Sequence, residues 1–125
     1  MVTDPNDPTI TLQSLQDAVH AFAVERDWLQ FHSPKNLSMA IAAEAGELLE
    51  HFLWATPEQS ESALEDEDKY RGVAEEVADV AILLMQFANV AGINLAEAVQ
   101  SKLQTNAQKY PVAKARGRAN KYTEL

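Results

Sequence analysis

Two pairs of acids, Glu44-x-x-Glu47 and Glu76-x-x-Asp79, interrupt stretches that would otherwise be apolar almost all the way round a helix. Ala40, Ile41, Ala42, Ala43, Ala45, Leu48 and Leu49 surround the first pair, and Val77, Ala78, Val80 and Ala81 the second. Residues three apart project to one side of a helix, so each pair lines up its oxygens. An acid on a wet helix face usually has polar neighbours at its own angular position, whereas these pairs interrupt a nearly all-round apolar surface, which predicts burial or half-burial. The two helices must then either share one groove of carboxylates or find partners for four separate charges.

The remaining pattern is helical as well. From Thr11 to Trp28, Leu12, Leu15, Val19, Phe22 and Ala23 recur at steps of three and four, one apolar face of a first helix. Gln30 to Lys35 reads as a loop broken by Pro34, with Asn36 or Ser38 capping a second helix whose core face is Leu37, Ile41, Leu48 and Phe52. That helix runs to about Trp54, ahead of Thr56-Pro57, because a proline disfavours helical geometry in the residue before it. A third helix spans about Asp68 to Ala91 and stops at Gly92; a fourth follows the capping-box-like Asn94 and Glu97 to about Lys109, before Pro111. No strand-length alternation and no repeat occurs, so the expected fold is all-α, a four-helix antiparallel bundle forming one domain over 1–125. Residues 1–8 are expected to be a flexible N-terminus, 57–69 a solvated, mobile acidic connector with room for one helical turn, and 110–125 an irregular basic tail.

With 46% hydrophobic residues over 125, the chain can bury roughly 65% of its unfolded surface and needs no covalent staple. It has no cysteine, which excludes disulfides, thiolate metal sites and cysteine nucleophiles and leaves oxygen or imidazole ligands. The net charge of −9 argues against nucleic acid as a partner. Six basic residues against one acid give Lys102 to Leu125 a net +5, so the rest of the chain carries −14. Segregated surface charge explains this blandly; a metal held by one part and an anion by the other explains it functionally. No apolar run approaches the roughly 18 residues of a membrane span, so the expectation is a soluble cytoplasmic protein without a membrane partner.

For the acid pairs, two readings stand side by side. Helical acids at this spacing mostly pair with lysines or face solvent. Yet two carboxylates about 4 Å apart repel by roughly 4 kcal/mol at an effective dielectric of about 20, so four in one apolar groove call for a cation. Mg²⁺ is the natural candidate, with Mn²⁺ also fitting, since both take oxygen ligands. Gly46, between the first two acids, costs about 1 kcal/mol of helix propensity and suggests close approach of a neighbour. Glu50 and Glu75 adjoin the pairs and are either a supporting base or ordinary exposed acids.

Three rings, Trp28, Phe31 and Trp54, fall at helix ends, where they can stack on a base; core packing is the alternative, favoured for Phe31. Stacking tells bases apart poorly, so selectivity would fall to polar groups such as His32 or Asn36. Lys102, Asn106 and Lys109 form one stripe on the fourth helix with Tyr110 next to it, either an exposed lysine face or a cradle for phosphate oxygens. His20 and His51 show no partner in the sequence and receive no role.

These motifs resemble the E-x-x-E…E-x-x-D signature of the MazG-like, all-α nucleoside triphosphate pyrophosphohydrolase superfamily. The likeness extends over Glu25-Arg26-Asp27-Trp28, Phe31-His32, Pro34 to Asn36, Gly46-Glu47-Leu48, Trp54, Asp79-Val80, Lys102, Asn106, Tyr110-Pro111, Ala115-Arg116-Gly117 and Lys121 to Leu125, roughly residues 12 to 125. The resemblance, nearest to the dCTP-cleaving members, implies Mg²⁺-dependent cleavage of dCTP or a related deoxynucleotide to monophosphate and pyrophosphate, a house-cleaning of nucleotide pools. It implies Glu44, Glu47, Glu76 and Asp79 as metal-binding and catalytic residues. The Trp28 to His32 segment and Trp54 would form the base pocket, and Lys102 and Asn106, with Lys109 and Tyr110 nearby, would contact phosphate or sugar. A homotetramer, a dimer of dimers, is implied too. Val19 and Leu83 depart from the pattern, standing where relatives have histidine and tyrosine. A broader or modified-nucleotide preference, a silent helical binding module and a toxin–antitoxin partner are the alternatives.

Overall fold

The computed structural model describes residues 4–125, and every regular element among them is helical. In chain order these are α1 (Leu12–Glu25), a 3-10 turn (Leu29–Phe31), α2 (Pro34–Glu50), α3 (Pro57–Ala63), α4 (Glu67–Ala91), α5 (Leu95–Lys109), α6 (Val112–Ala115) and a last 3-10 turn (Tyr122–Glu124). The all-α expectation holds, and its four long helices are α1, α2, α4 and α5. None of them singly is long and apolar enough to cross a membrane.

The helix ends follow from local chemistry. Thr11 and Ser14 cap α1 reciprocally. Ser33, rather than Asn36 or Ser38, caps α2 by accepting from the Asn36 amide. Pro34 therefore opens the helix instead of breaking it, because its missing N–H is one that no first-turn residue uses. The connector is more ordered than expected: Thr56 and Gln59 form a capping box with Pro57 in the first turn, enough to start the seven-residue α3. Asp66 caps α4, and Gly92 ends it at φ 69°, the left-handed conformation glycine adopts without cost. Asn94 caps α5 by accepting from the Glu97 amide. Of the expected flexible stretch 1–8, residues 1–3 lie outside the described residues, while Asp4 and Asp7 each accept from a backbone amide two residues on.

The chain divides into two compact units, one running through Ile93 and one from Asn94 onward. In the first, α4 is the centre, with α2 and α1 laid against it. His51 approaches Gly72 while Glu47 approaches Glu76, so α2 and α4 run antiparallel; Asn89 meets Gln16 near the start of α1 while Ile82 shares a cavity with Phe22 nearer its end, so α1 is antiparallel to α4 too. The buried centre is small, with Ala23, Leu37 and Ala88 closed off together with two glutamines, Gln16 and Gln86. Leu15 and Phe22, expected in the core, are half-open and line an apolar cavity of about 310 Å³ with Ala18, Val19 and Ile82. In the second unit the stretch expected to be irregular carries α6 and the last 3-10 turn, held by an edge-on contact between Tyr110 and Tyr122 and by Lys109 above the Tyr122 ring.

Candidate active site

Three of the four acids predicted to converge do so, and Glu47 and Asp79 are exposed where burial or half-burial was expected, because each points toward the open side of the groove. Glu44 and Glu47 on α2 and Glu76 on α4 each offer one carboxylate oxygen, all within 4.8 Å of one another. Carboxylate oxygens gathered this closely would suit one hard cation such as Mg²⁺, which takes oxygen ligands at about 2.0–2.1 Å. Asp79 stands just outside this trio, yet its charge acts on both Glu44 and Glu76. Burial first, then repulsion from Glu47 and from Asp79, hold the Glu44 and Glu76 carboxyls above their usual value of 4.5.

One oxygen on each of these two residues, Oε2 of Glu44 and of Glu76, is buried without a hydrogen-bond partner among the described residues. A buried carboxylate oxygen without a donor is costly, and neither backbone amide nor lysine compensates here. A hard cation would supply the missing partner, and carboxylate oxygens are among the ligands such ions take. The lysine-paired alternative is thereby disfavoured for Glu44 and Glu76.

Above the trio lies a polar cleft of about 230 Å³ lined by Glu47, Glu50, His51, Lys69 and Glu76. Two of these escaped the sequence reading. His51 Nε2 lies 3.9 Å from a Glu76 oxygen, and Lys69 brings an ammonium group to the acid-rich wall. The signal was present: His51 is four residues after Glu47 and Lys69 seven before Glu76, each on the face of its own helix that carries the acid. Gly46 makes no close approach, since a Cβ there would meet nothing within 4 Å. The tight glycine is Gly72, whose Cβ would stand 3.1 Å from His51 Cε1. Glu75 is exposed and does not line the cleft.

The aromatic candidates separate. Trp28 stacks edge-on against Phe22 and, with His32, Val19 and Leu83, lines a small apolar cavity. Phe31 is 60% exposed and Trp54 92%, so neither belongs to the core of this chain. Asn36 donates to the Phe31 carbonyl and thereby ties the turn to α2. Lys102, Asn106, Lys109 and Tyr110 lie together on the second unit, with Asn106 half-buried.

The model of the MazG-like family matches residues 39–125. The chain is 41% identical over 118 residues to dCTP pyrophosphatase 1 of Mus musculus, covering 94% of this chain and 69% of that one. It is 39% identical to dCTP pyrophosphatase 1 of Homo sapiens, with the same coverage. The crystal structure of a pyrophosphatase from Archaeoglobus fulgidus superposes with a TM-score of 0.76 at 38% identity, over 86% of this chain and 99% of that one. Carboxylates gathered from two antiparallel helices, the family match across both units and relatives near 40% identity lead to one assignment: this chain belongs to the MazG-like family.

Proposed function

We propose that this protein is a Mg²⁺-dependent nucleoside triphosphate pyrophosphohydrolase that cleaves dCTP to dCMP and pyrophosphate, working as a homotetramer in the control of nucleotide pools. The single observation that carries the reading is the pair of buried, unpartnered oxygens on Glu44 and Glu76 inside a cluster of three carboxylates with Asp79 beside it. The relatives named dCTP pyrophosphatase 1 support a nucleotide substrate and are the ground for proposing cytosine as its base. Glu44, Glu47, Glu76 and Asp79 would hold the metal, which when bound offsets charge developing at the phosphates. Glu47 and Glu50, the two exposed acids of the cleft, are the candidates to take a proton from the water that attacks the α-phosphorus. Lys69, a point charge on the cleft wall, suits the oxygens of the departing pyrophosphate. Trp28, Phe31, His32 and Trp54 remain the candidates for the base, and Lys102, Asn106, Lys109 and Tyr110 for phosphate and sugar, on the strength of the family resemblance.

The test is incubation with Mg²⁺ and each of dCTP, dTTP, dATP, dGTP and CTP, with products followed by phosphorus NMR. Monophosphate and pyrophosphate, formed fastest from dCTP, support the whole reading. Equal rates from all five would leave the chemistry and remove the base preference, as the apolar Val19 and Leu83 would favour. Orthophosphate as the product, or no turnover of any substrate, would overturn the proposal.

A further inference from the structure

We infer that Asn89 and Gln86 are positioning residues that fix the proton of His32 on Nε2, making the cavity beside Trp28 a donor-only pocket matched to the acceptor edge of cytosine. This rests on the function proposed above and concerns how its base is chosen.

The argument begins at a backbone carbonyl. Asn89 Nδ2 lies 2.9 Å from the Gln16 carbonyl oxygen, which can only accept, so the orientation of the Asn89 amide is set. The same NH₂ donates to Gln86 Oε1 at 3.1 Å. Gln86 must then present its own NH₂ to His32 Nδ1, 3.2 Å away. A ring nitrogen facing a donor has to be the bare one, and a neutral imidazole then carries its hydrogen on Nε2. Gln86 is only 2% exposed, so no solvent can stand in for the bonds it would lose on turning over. Turned over, its NH₂ would face the NH₂ of Asn89, leaving two donors in opposition. Gln16, 5% exposed, anchors the head of the relay by donating from its side chain to the Ile93 carbonyl at 3.4 Å.

His32 Nε2 meets no partner among the described residues. Its cavity, about 100 Å³, is otherwise lined by Val19, Leu83 and other apolar side chains, with Trp28 and the already committed Gln86. Of the lining side chains, His32 through Nε2–H and Trp28 through its indole N–H have a polar group free of any partner among the described residues, and both groups can only donate. Cytosine carries adjacent acceptors at O2 and N3, whereas uracil and thymine place an N–H at position 3. A donor-only pocket therefore accepts the first and rejects the others, even with Val19 and Leu83 offering nothing polar.

Long-range proton–nitrogen NMR of the full chain at mildly alkaline pH reads the His32 proton directly, without substrate or metal. The expected result is an Nε2-protonated ring; an Nδ1-protonated or evenly mixed ring overturns the inference whatever the activity. Asn89→Asp should reverse the relay. An acceptor at 89 turns the Gln86 amide round, its oxygen then meets His32, and the ring proton moves to Nδ1. Nε2 becomes an acceptor, and kcat/KM for dCTP over dUTP should fall about tenfold, the scale of one buried hydrogen bond. Gln86→Met is the second variant, should the first fail to fold, and should raise KM for dCTP with kcat within about twofold. A folded variant with unchanged nitrogen signals and an unchanged dCTP/dUTP ratio overturns the inference. Absence of turnover in the unaltered chain with the Nε2 proton in place would instead sink the proposed activity and leave the relay standing.

Discussion

Gly72 and His51 face each other across the antiparallel α2 and α4, with the place of a glycine Cβ only 3.1 Å from the imidazole Cε1. The lack of a side chain at Gly72 lets His51 lean over the helix and reach Glu76, 3.9 Å from its nitrogen. Gly72→Ala should push the ring aside and lower activity by disturbing the cleft, while the gain of about 1 kcal/mol in helix propensity is offset by the contact. Gly46→Ala meets nothing and should stabilise by up to about 1 kcal/mol with turnover kept. Thermal melting beside a steady-state assay separates the two; a stabilised and fully active Gly72→Ala would show that His51 is free to move without consequence.

Glu47→Gln and Asp79→Asn should each abolish turnover and leave the fold intact. Removing one negative charge from the cluster relieves repulsion on Glu44 and Glu76, so the metal-free variants should melt no lower than wild type. Full activity in both would remove these acids from the metal role.

The raised carboxyls of Glu44 and Glu76 set the sign of a pH effect. The folded chain binds their protons more tightly than the unfolded chain, so their contribution to stability is complete below about 4.5, the ordinary value, and is lost as pH rises through the raised folded values. In EDTA, the melting temperature of wild type relative to Glu44→Gln/Glu76→Gln should therefore fall on going from acid to neutral pH. Mg²⁺ should restore the wild type at neutral pH and leave the double variant unmoved. A difference independent of pH would mean that the two acids sit in an ordinary aqueous environment.

Trp54, 92% exposed, holds nothing together within the chain. Trp54→Ala should change stability by no more than about 0.5 kcal/mol. If the ring stacks on a base, KM should rise roughly tenfold, the low to middle range of base–aromatic stacking. An unchanged KM for every nucleotide, combined with weaker self-association, would place the ring between copies of the chain.

Large apolar side chains stand open on both units, among them Met39 at 61%, Leu103 at 62% and Val112 at 69% exposure. Surface of this kind, on a chain with so small a buried centre, is what the proposed tetramer would cover. Sedimentation should give a particle several times the 13.8 kDa chain, and Leu103→Glu should weaken it. A single-chain particle at micromolar concentration would dispose of the tetramer.

The sequence by itself determined the four long helices and the convergence of Glu44, Glu47 and Glu76. A period of three to four residues, the cap at Asn94, and acids three apart in apolar flanks are local facts, and local facts are what a sequence displays. It misjudged Pro34 and the start of α3 because the same residues that break a helix internally open one when a capping oxygen precedes them. Tertiary structure alone decided which groups meet across elements. Gln16, Gln86, Asn89 and His32 are scattered over 74 positions, and no periodicity announces that one carbonyl on α1 sets the proton of a ring before α2. The same holds for His51 against Gly72, and for the orphaned oxygens of Glu44 and Glu76. Which oxygen lacks a donor, and which glycine makes room, is settled by distances of an ångström between helices, a quantity that residue spacing along one helix does not contain.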